Sequence, residues 1–131
     1  MKRIISLIML ASIMLSLSSC GRYVSSYSAV GLVRNQTSHS CEASFLSLDG
    51  ILVYKLKRTA AGEGDINYSV QVDEGELRLY YDIYGTKEEL AQVKSGESIE
   101  GSGGYVECDK AVYIIVEATE KSRGKFVIEL N

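Results

Sequence analysis

Side chains able to do chemistry are few in this chain of 131 residues, and their spacing keeps them apart. His39 is the sole histidine, within Thr37-Ser38-His39-Ser40. Serines and aspartates are plentiful enough for a Ser/His/Asp triad, but no Gly-x-Ser-x-Gly elbow is there to present a nucleophile. His39 therefore reads as a solvated loop residue. A zinc site needs several His or Cys ligands at short spacing, and Cys41 adds only one beside His39, so zinc is not expected. Glu63-Gly64-Asp65 offers oxygens to calcium without the alternating acidic ladder of a calcium loop. Asp73-Glu74 and Glu88-Glu89 are adjacent pairs, and adjacent residues on a strand point to opposite faces, so they would not converge as acid and base. Gly101-Ser102-Gly103-Gly104 lacks the Lys-Ser/Thr pair of a phosphate-cradling loop. No catalytic centre, cofactor or metal is expected.

Tyrosines and cysteines remain. There are nine tyrosines and no tryptophan. Along residues 76–84, Tyr80, Asp82 and Tyr84 share the face opposite Leu77, Leu79, Tyr81 and Ile83. At roughly 3.3 Å per strand residue the Tyr80 and Tyr84 rings lie about 13 Å apart. They would stack on sugar rings or peptide side chains, with Asp82 accepting hydrogen bonds from a hydroxylated ligand. The competing account is that tyrosine favours strands and covers the second face of a sheet. Cys41 and Cys108 fit one disulfide in an exported domain, or else two separate buried thiols.

The elements that would position these residues are β-strands. From residue 29 onward, short β-like runs are broken by turn signals every eight to twelve residues. Cys41, Ala43 and Phe45 alternate with Glu42 and Ser44, as in a half-buried strand. Asp49-Gly50 predicts a type I′ hairpin turn, followed by a strand over residues 51–58 and a glycine-rich acidic loop over 60–65. Ile66, Tyr68, Val70 and Val72 form the next apolar face, and Asp73-Glu74-Gly75 predicts another turn before the strand at 76–84. Residues 87–93 suit either a helical turn or an edge strand. Gly101 to Gly104 reads as a flexible loop. Residues 111–118 are apolar on both faces and so predict a central, doubly covered strand. Phe126, Ile128 and Leu130 mark the last one. No stretch keeps the helical period of 3.6 for three turns. Seven to nine antiparallel strands predict an all-β, single-domain, antiparallel two-sheet β-sandwich of jelly-roll or immunoglobulin-like topology.

The start of the chain has a different logic. Lys2 and Arg3 precede an apolar run over residues 4–17, and Leu17-Ser18-Ser19-Cys20 closes it. A membrane span needs about 20 apolar residues, and this run is shorter and interrupted by Ser6, Ser12 and Ser16. The order of basic, apolar and small residues before a cysteine resembles the signal peptide and lipobox of bacterial lipoproteins. The resemblance implies that residues 1–19 are removed and that Cys20 carries a diacylglycerol thioether. Residues 20–28 would then be a tether and 29–131 the domain. It further implies an extracytoplasmic location, the cell surface or, in a two-membrane host, the outer membrane, since Gly21 replaces the Asp of the usual inner-membrane retention signal. Without residues 1–19 the chain keeps 12 basic and 17 acidic residues, a formal charge of −5. Nucleic-acid binding wants a basic stripe instead.

Residues 52–56, Gly75-Glu76-Leu77-Arg78-Leu79, residues 113–116 and Gly124-Lys125-Phe126-Val127-Ile128 have a spacing similar to the jelly-roll of pre-peptidase C-terminal domains and of small lipoproteins. That resemblance implies an accessory or binding module. Together these features point to a membrane-anchored, non-catalytic lipoprotein with a glycan or protein ligand, or to an envelope-structural module. The alternative is a small extracytoplasmic hydrolase or enzyme inhibitor, disfavoured by a single histidine and no nucleophile elbow. If Cys20 is the lipidated residue, metabolic labelling with a clickable fatty acid will mark the wild type and leave Cys20→Ala unmarked as precursor.

Overall fold

The computed structural model describes residues 23–58 and 62–131, so Cys20, the signal segment and residues 59–61 of the acidic loop lie outside the described residues. Seven strands make up the domain: β1 (Ser26–Val30), β2 (Val33–Gln36), β3 (Ser40–Lys57), β4 (Ile66–Asp82), β5 (Glu88–Lys94), β6 (Ser98–Gly103) and β7 (Ala111–Leu130). Every pairing is antiparallel, and no helix occurs among the described residues. The class is therefore all-β, as the alternation predicts.

The two layers are halves of one hydrogen-bonded sheet, with strand order β1-β3-β7-β4-β5 and with β2 and β6 as additional partners of β3 and β4. Strands β3, β4 and β7 are 18, 17 and 20 residues long and run through both layers. In one layer β2 flanks residues 41–44 of β3, and β6 flanks residues 66–71 of β4. In the other, β1 flanks residues 47–51 of β3 and β5 flanks residues 76–81 of β4. Between the halves all three long strands lose register, at 45–50 in β3 and at 72–76 in β4 against β7. There the sheet folds over. The ladder pairs Tyr54 with Ile114 and Phe126 with Ala43, yet the Tyr54 and Phe126 rings meet edge-on with centroids 6.0 Å apart. That contact spans the two layers.

Three glycines permit the crease. A Cβ on Gly50, Gly75 or Gly124 would come within 3 Å of neighbouring backbone, from Ser26 and Tyr27, Ser122, and Gln71 respectively. Gly50 and Gly75 also have φ of 123° and 85°, a region costly for residues with a Cβ. Asp49-Gly50 and Asp73-Glu74-Gly75 are thus corrected from hairpin turns to interruptions inside continuous strands. Positive φ suits a bulge as well as a turn. Ser122 fills the gap in the β4–β7 ladder. Fully buried, its hydroxyl lies 2.6 Å from the Thr119 carbonyl and accepts from the Glu76 amide at 3.0 Å.

The core between the layers is formed by the inward residues of both halves. Cys41, Ala43, Phe45, Ile66, Val70, Val72, Phe126, Ile128 and Leu130 face Leu52, Tyr54, Leu56, Leu77, Leu79, Val112, Ile114, Val116 and Val93. Residues 111–118 are central, as their two apolar faces predict. Ile115, on the outer face, is 2% exposed and sits between Val53 and Tyr80 in register. Across the layer edges Arg34 of β2 donates to the Tyr54 hydroxyl at 3.1 Å and stacks 4.8 Å from its ring centroid. The same guanidinium reaches the Tyr27 hydroxyl of β1 at 3.3 Å.

Of the two alternatives for residues 87–93, the edge strand is the one formed, as β5 (Glu88–Lys94). Two other expectations need correction. Gly101 to Gly103 belong to β6. Ser26 to Ser28, assigned to the tether, pair with β3, and Ser25 Oγ accepts from the Val53 amide at 2.8 Å. A backbone donor there finds its partner only if the chain lies down on the sheet.

Ser122→Ala is expected to lower stability by about 1–3 kcal/mol, by leaving buried backbone groups unpaired. Gly124→Ala should cost more, because backbone cannot step aside as a side chain can. Urea denaturation midpoints of the two variants check both expectations.

Candidate functional site

The crease leaves the opposite, open end of the sandwich to the chain reversals. The β2–β3 turn, the β3–β4 loop, the β4–β5 turn and the β6–β7 loop all gather there. Backbone bonds tie the end together: the Lys57 amide donates to Ser38, Leu130 to His39, Val106 to Gly64, and Asn131 to Asp65. Tyr81, Ile83, Tyr84, Thr86, Glu88 and Tyr105 line a cleft of about 330 Å³ at this end. Tyr84 and Tyr105 are 65% and 56% exposed, a degree at which aromatic rings are available to a ligand.

Each wall is held by a specific contact. The Tyr81 hydroxyl donates to Glu88 Oε2 at 2.6 Å, and this bond, then burial, raises the phenol above its ordinary range. Partial desolvation raises the Tyr84 phenol first, with the nearby Glu107 carboxylate and Tyr105 acting in the same sense. Both phenols stay protonated near neutrality, and that of Tyr81 orients the Glu88 carboxylate. Tyr105 rests against Arg58, whose guanidinium lies 5.6 Å from the ring centroid and donates to the phenol at 3.3 Å. Arg58 is itself fixed by the carbonyls of Gly62, at 2.7 and 3.2 Å, and Val106, at 3.0 Å. The cleft thus offers aromatic faces with carboxylate and phenol oxygens at their edges. Apolar faces beside planar polar groups suit a ring with hydroxyls on its rim.

The expected Tyr80–Asp82–Tyr84 face is split. Tyr80 lies mid-sheet, with Lys87 Nζ 4.2 Å above its ring, and Lys87 pairs with Glu117 at 3.3 Å. Asp82 is 2% exposed. One carboxylate oxygen accepts from the Tyr23 hydroxyl at 2.6 Å, and the other from the Gly85 amide at 2.6 Å. Tyr84 lies beyond the end of β4, in the turn that Asp82 caps, and joins Tyr81 and Tyr105. Strand alternation stops at Asp82, which is why extrapolating it to Tyr84 misplaced the partners.

The disulfide is likewise corrected to two free thiols. Cys41 is 1% exposed within the core, whereas Cys108 is exposed in the β6–β7 loop. His39 sits on the exposed β2–β3 turn, its Nδ1 3.4 Å from Oγ of its neighbour Ser38. No group of three or more His, Cys, Asp or Glu is arranged to hold a metal among the described residues. A second depression of about 180 Å³ lies on an outer face, lined by Val33, Asn35, Glu42 and Val127. Its one aromatic neighbour, Phe126, is buried in the core.

No protein-family model and no curated protein matches this chain. Solved structures do. One is a family 61 carbohydrate-binding module in complex with β-1,4-galactotriose, at 14% identity over 75% of this chain and 66% of that one, with a TM-score of 0.42. Another is a family 29 carbohydrate-binding module complexed with mannohexaose, at 12% identity over 81% and 77%, with a TM-score of 0.41. At these values the matches assign neither family nor ligand to this chain.

The two thiols should separate cleanly. Iodoacetamide is expected to modify Cys108 in the native protein and Cys41 only after unfolding. Burial pushes the Cys41 thiol up to about 12, against a small opposing effect of Arg34. An unfolded chain releases this proton above pH 9 while the folded one keeps it to about 12. The stability it lends is therefore complete below pH 9 and lost progressively up to 12. Cys41→Ala should flatten that decline in a pH series of urea melts.

Proposed function

We propose that the chain is a non-catalytic, lipid-anchored extracytoplasmic binding module whose tyrosine cleft takes a carbohydrate. The observation that carries this reading is the gathering of exposed Tyr84 and Tyr105 with the oriented carboxylate of Glu88 in one cleft. Sugar rings present an apolar C–H face and a rim of hydroxyls. Phenol rings take the first by stacking, and carboxylate lone pairs take the second. A peptide ligand would more often add a strand to a sheet edge or fill an apolar groove, and this cleft lies at the loop end instead.

Lipidation at Cys20 is part of this proposal and rests on the lipobox pattern alone. The anchor is physically adequate, because acyl chains contribute about 0.8 kcal/mol per buried CH₂ and two hold far better than one.

Binding is expected on an array of bacterial envelope oligosaccharides, with Tyr84→Ala and Tyr105→Ala each weakening it roughly tenfold, equivalent to about 1.4 kcal/mol. Both rings are exposed, so neither change should move the melting midpoint by more than the small amount usual for surface sites. A positive array signal that survives the double variant would place the ligand elsewhere.

A further inference from the structure

We propose that the open end of the sandwich faces the membrane, and that the ligand of the tyrosine cleft is the sugar headgroup of a lipid in that membrane. This rests on the two readings just given, the anchor at Cys20 and the sugar site at Tyr84 and Tyr105.

The geometry comes from the N-terminal segment. From Val30 back to Ser26, β1 climbs β3 from the crease toward the open end. Ser25 continues at the level of Val53. Tyr23 then packs on Tyr113, ring centroids 5.6 Å apart, and its hydroxyl holds Asp82. Tyr113 and Asp82 are register partners in the last paired row of β4 and β7, so Tyr23, the first described residue, lies at the open end. Cys20 is three residues further on, and three residues span at most about 11 Å.

The same contact reaches the cleft. Asp82 ties Tyr23 on one side to the Gly85 amide on the other, in the turn that carries Tyr84. The point of anchorage and the exposed rings are therefore one short network apart. The crease end is distant, since the ten residues of β3 from Leu48 to Lys57 cover about 33 Å. With so short a leash, the open end cannot turn far from the bilayer.

The chemistry of that end suits the place. Tyr84 and Tyr105 are exposed, and tyrosine is the residue type that settles at headgroup depth with one end apolar and one end wet. Each interfacial layer is about 5–8 Å thick, from the difference between the hydrocarbon core and the whole bilayer. A free polysaccharide would have to enter the narrow space between domain and membrane. A glycosylated headgroup is already there, confined to the plane of the cleft and so at high effective concentration.

Cys108 supplies a native reporter, being exposed in the β6–β7 loop at the open end. The full lipidated protein would be labelled there with a fluorophore and placed in phosphatidylethanolamine–phosphatidylglycerol vesicles containing headgroup-spin-labelled lipid. A second sample would carry the label at the crease end, as Ser95→Cys with Cys108→Ser. Strong quenching at Cys108 and little at position 95 is expected, and equal or reversed quenching overturns the orientation. If neither sample stays with the vesicles, the anchor reading fails. Doping the vesicles with diglucosyl-diacylglycerol should shift the Cys108 probe in the wild type and not in Tyr84→Ala/Tyr105→Ala. A shift that soluble diglucosylglycerol produces equally well overturns the lipid source and keeps the cleft as a sugar site. Quenching at Cys108 with no response to either form overturns this sugar ligand and keeps the orientation.

Discussion

Everything in this domain depends on three strands that carry one hydrogen-bonded ladder through both of its layers. A sheet that must stay paired while doubling back needs places where backbones approach closer than a Cβ allows. Gly50, Gly75 and Gly124 supply them, one per long strand. Ser122 restores the bonds that the bend takes out of the ladder between β4 and β7. The fold-over brings the inward residues of the halves face to face, and Tyr54 meets Phe126 although neither pairs with the other in any ladder. It also sends four of the chain's reversals to one end, which is the origin of the cleft.

Arg34 closes the side of this arrangement. Its guanidinium joins strands of the two layers through the hydroxyls of Tyr54 and Tyr27. The pull is mutual: Tyr54 is raised above the ordinary phenol range chiefly by burial, with Arg34 acting in the opposite sense. Cation–π contacts of this kind contribute about 0.5–2 kcal/mol according to how far they are desolvated. Arg34 therefore ranks below the apolar core as a source of stability, but it fixes how the edges of the layers meet.

Local pattern showed the strands and their faces, because alternation is a property of neighbouring residues. Cys41, Ala43 and Phe45, or Leu77 and Leu79, point inward as their spacing predicts. Connectivity was less legible. Asp49-Gly50 and Asp73-Glu74-Gly75 have the composition of hairpin turns, and a bulge inside a long strand asks for the same positive φ. Only pairing with residues far along the chain, such as Gly50 with Ala118, separates the two. The site was legible in part for the same reason. Tyr84 was visible beside a regular strand, whereas Arg58 and Tyr105 come from loops 47 positions apart, and no local signal joins them. Asp82 alternates outward and so has the pattern of a ligand group, but an outward position is exposed only when nothing lies on it, and Tyr23 does.

The course of β1 has a mechanical consequence. It lies lengthwise along β3 through five residue pairs and leaves at the open end. Tension arriving from the N-terminus acts along the strand axis, so those pairs bear load together, in shear, where a perpendicular pull would part them one by one. A pull applied at Ser26 is thereby met along the direction in which a β-ladder resists most.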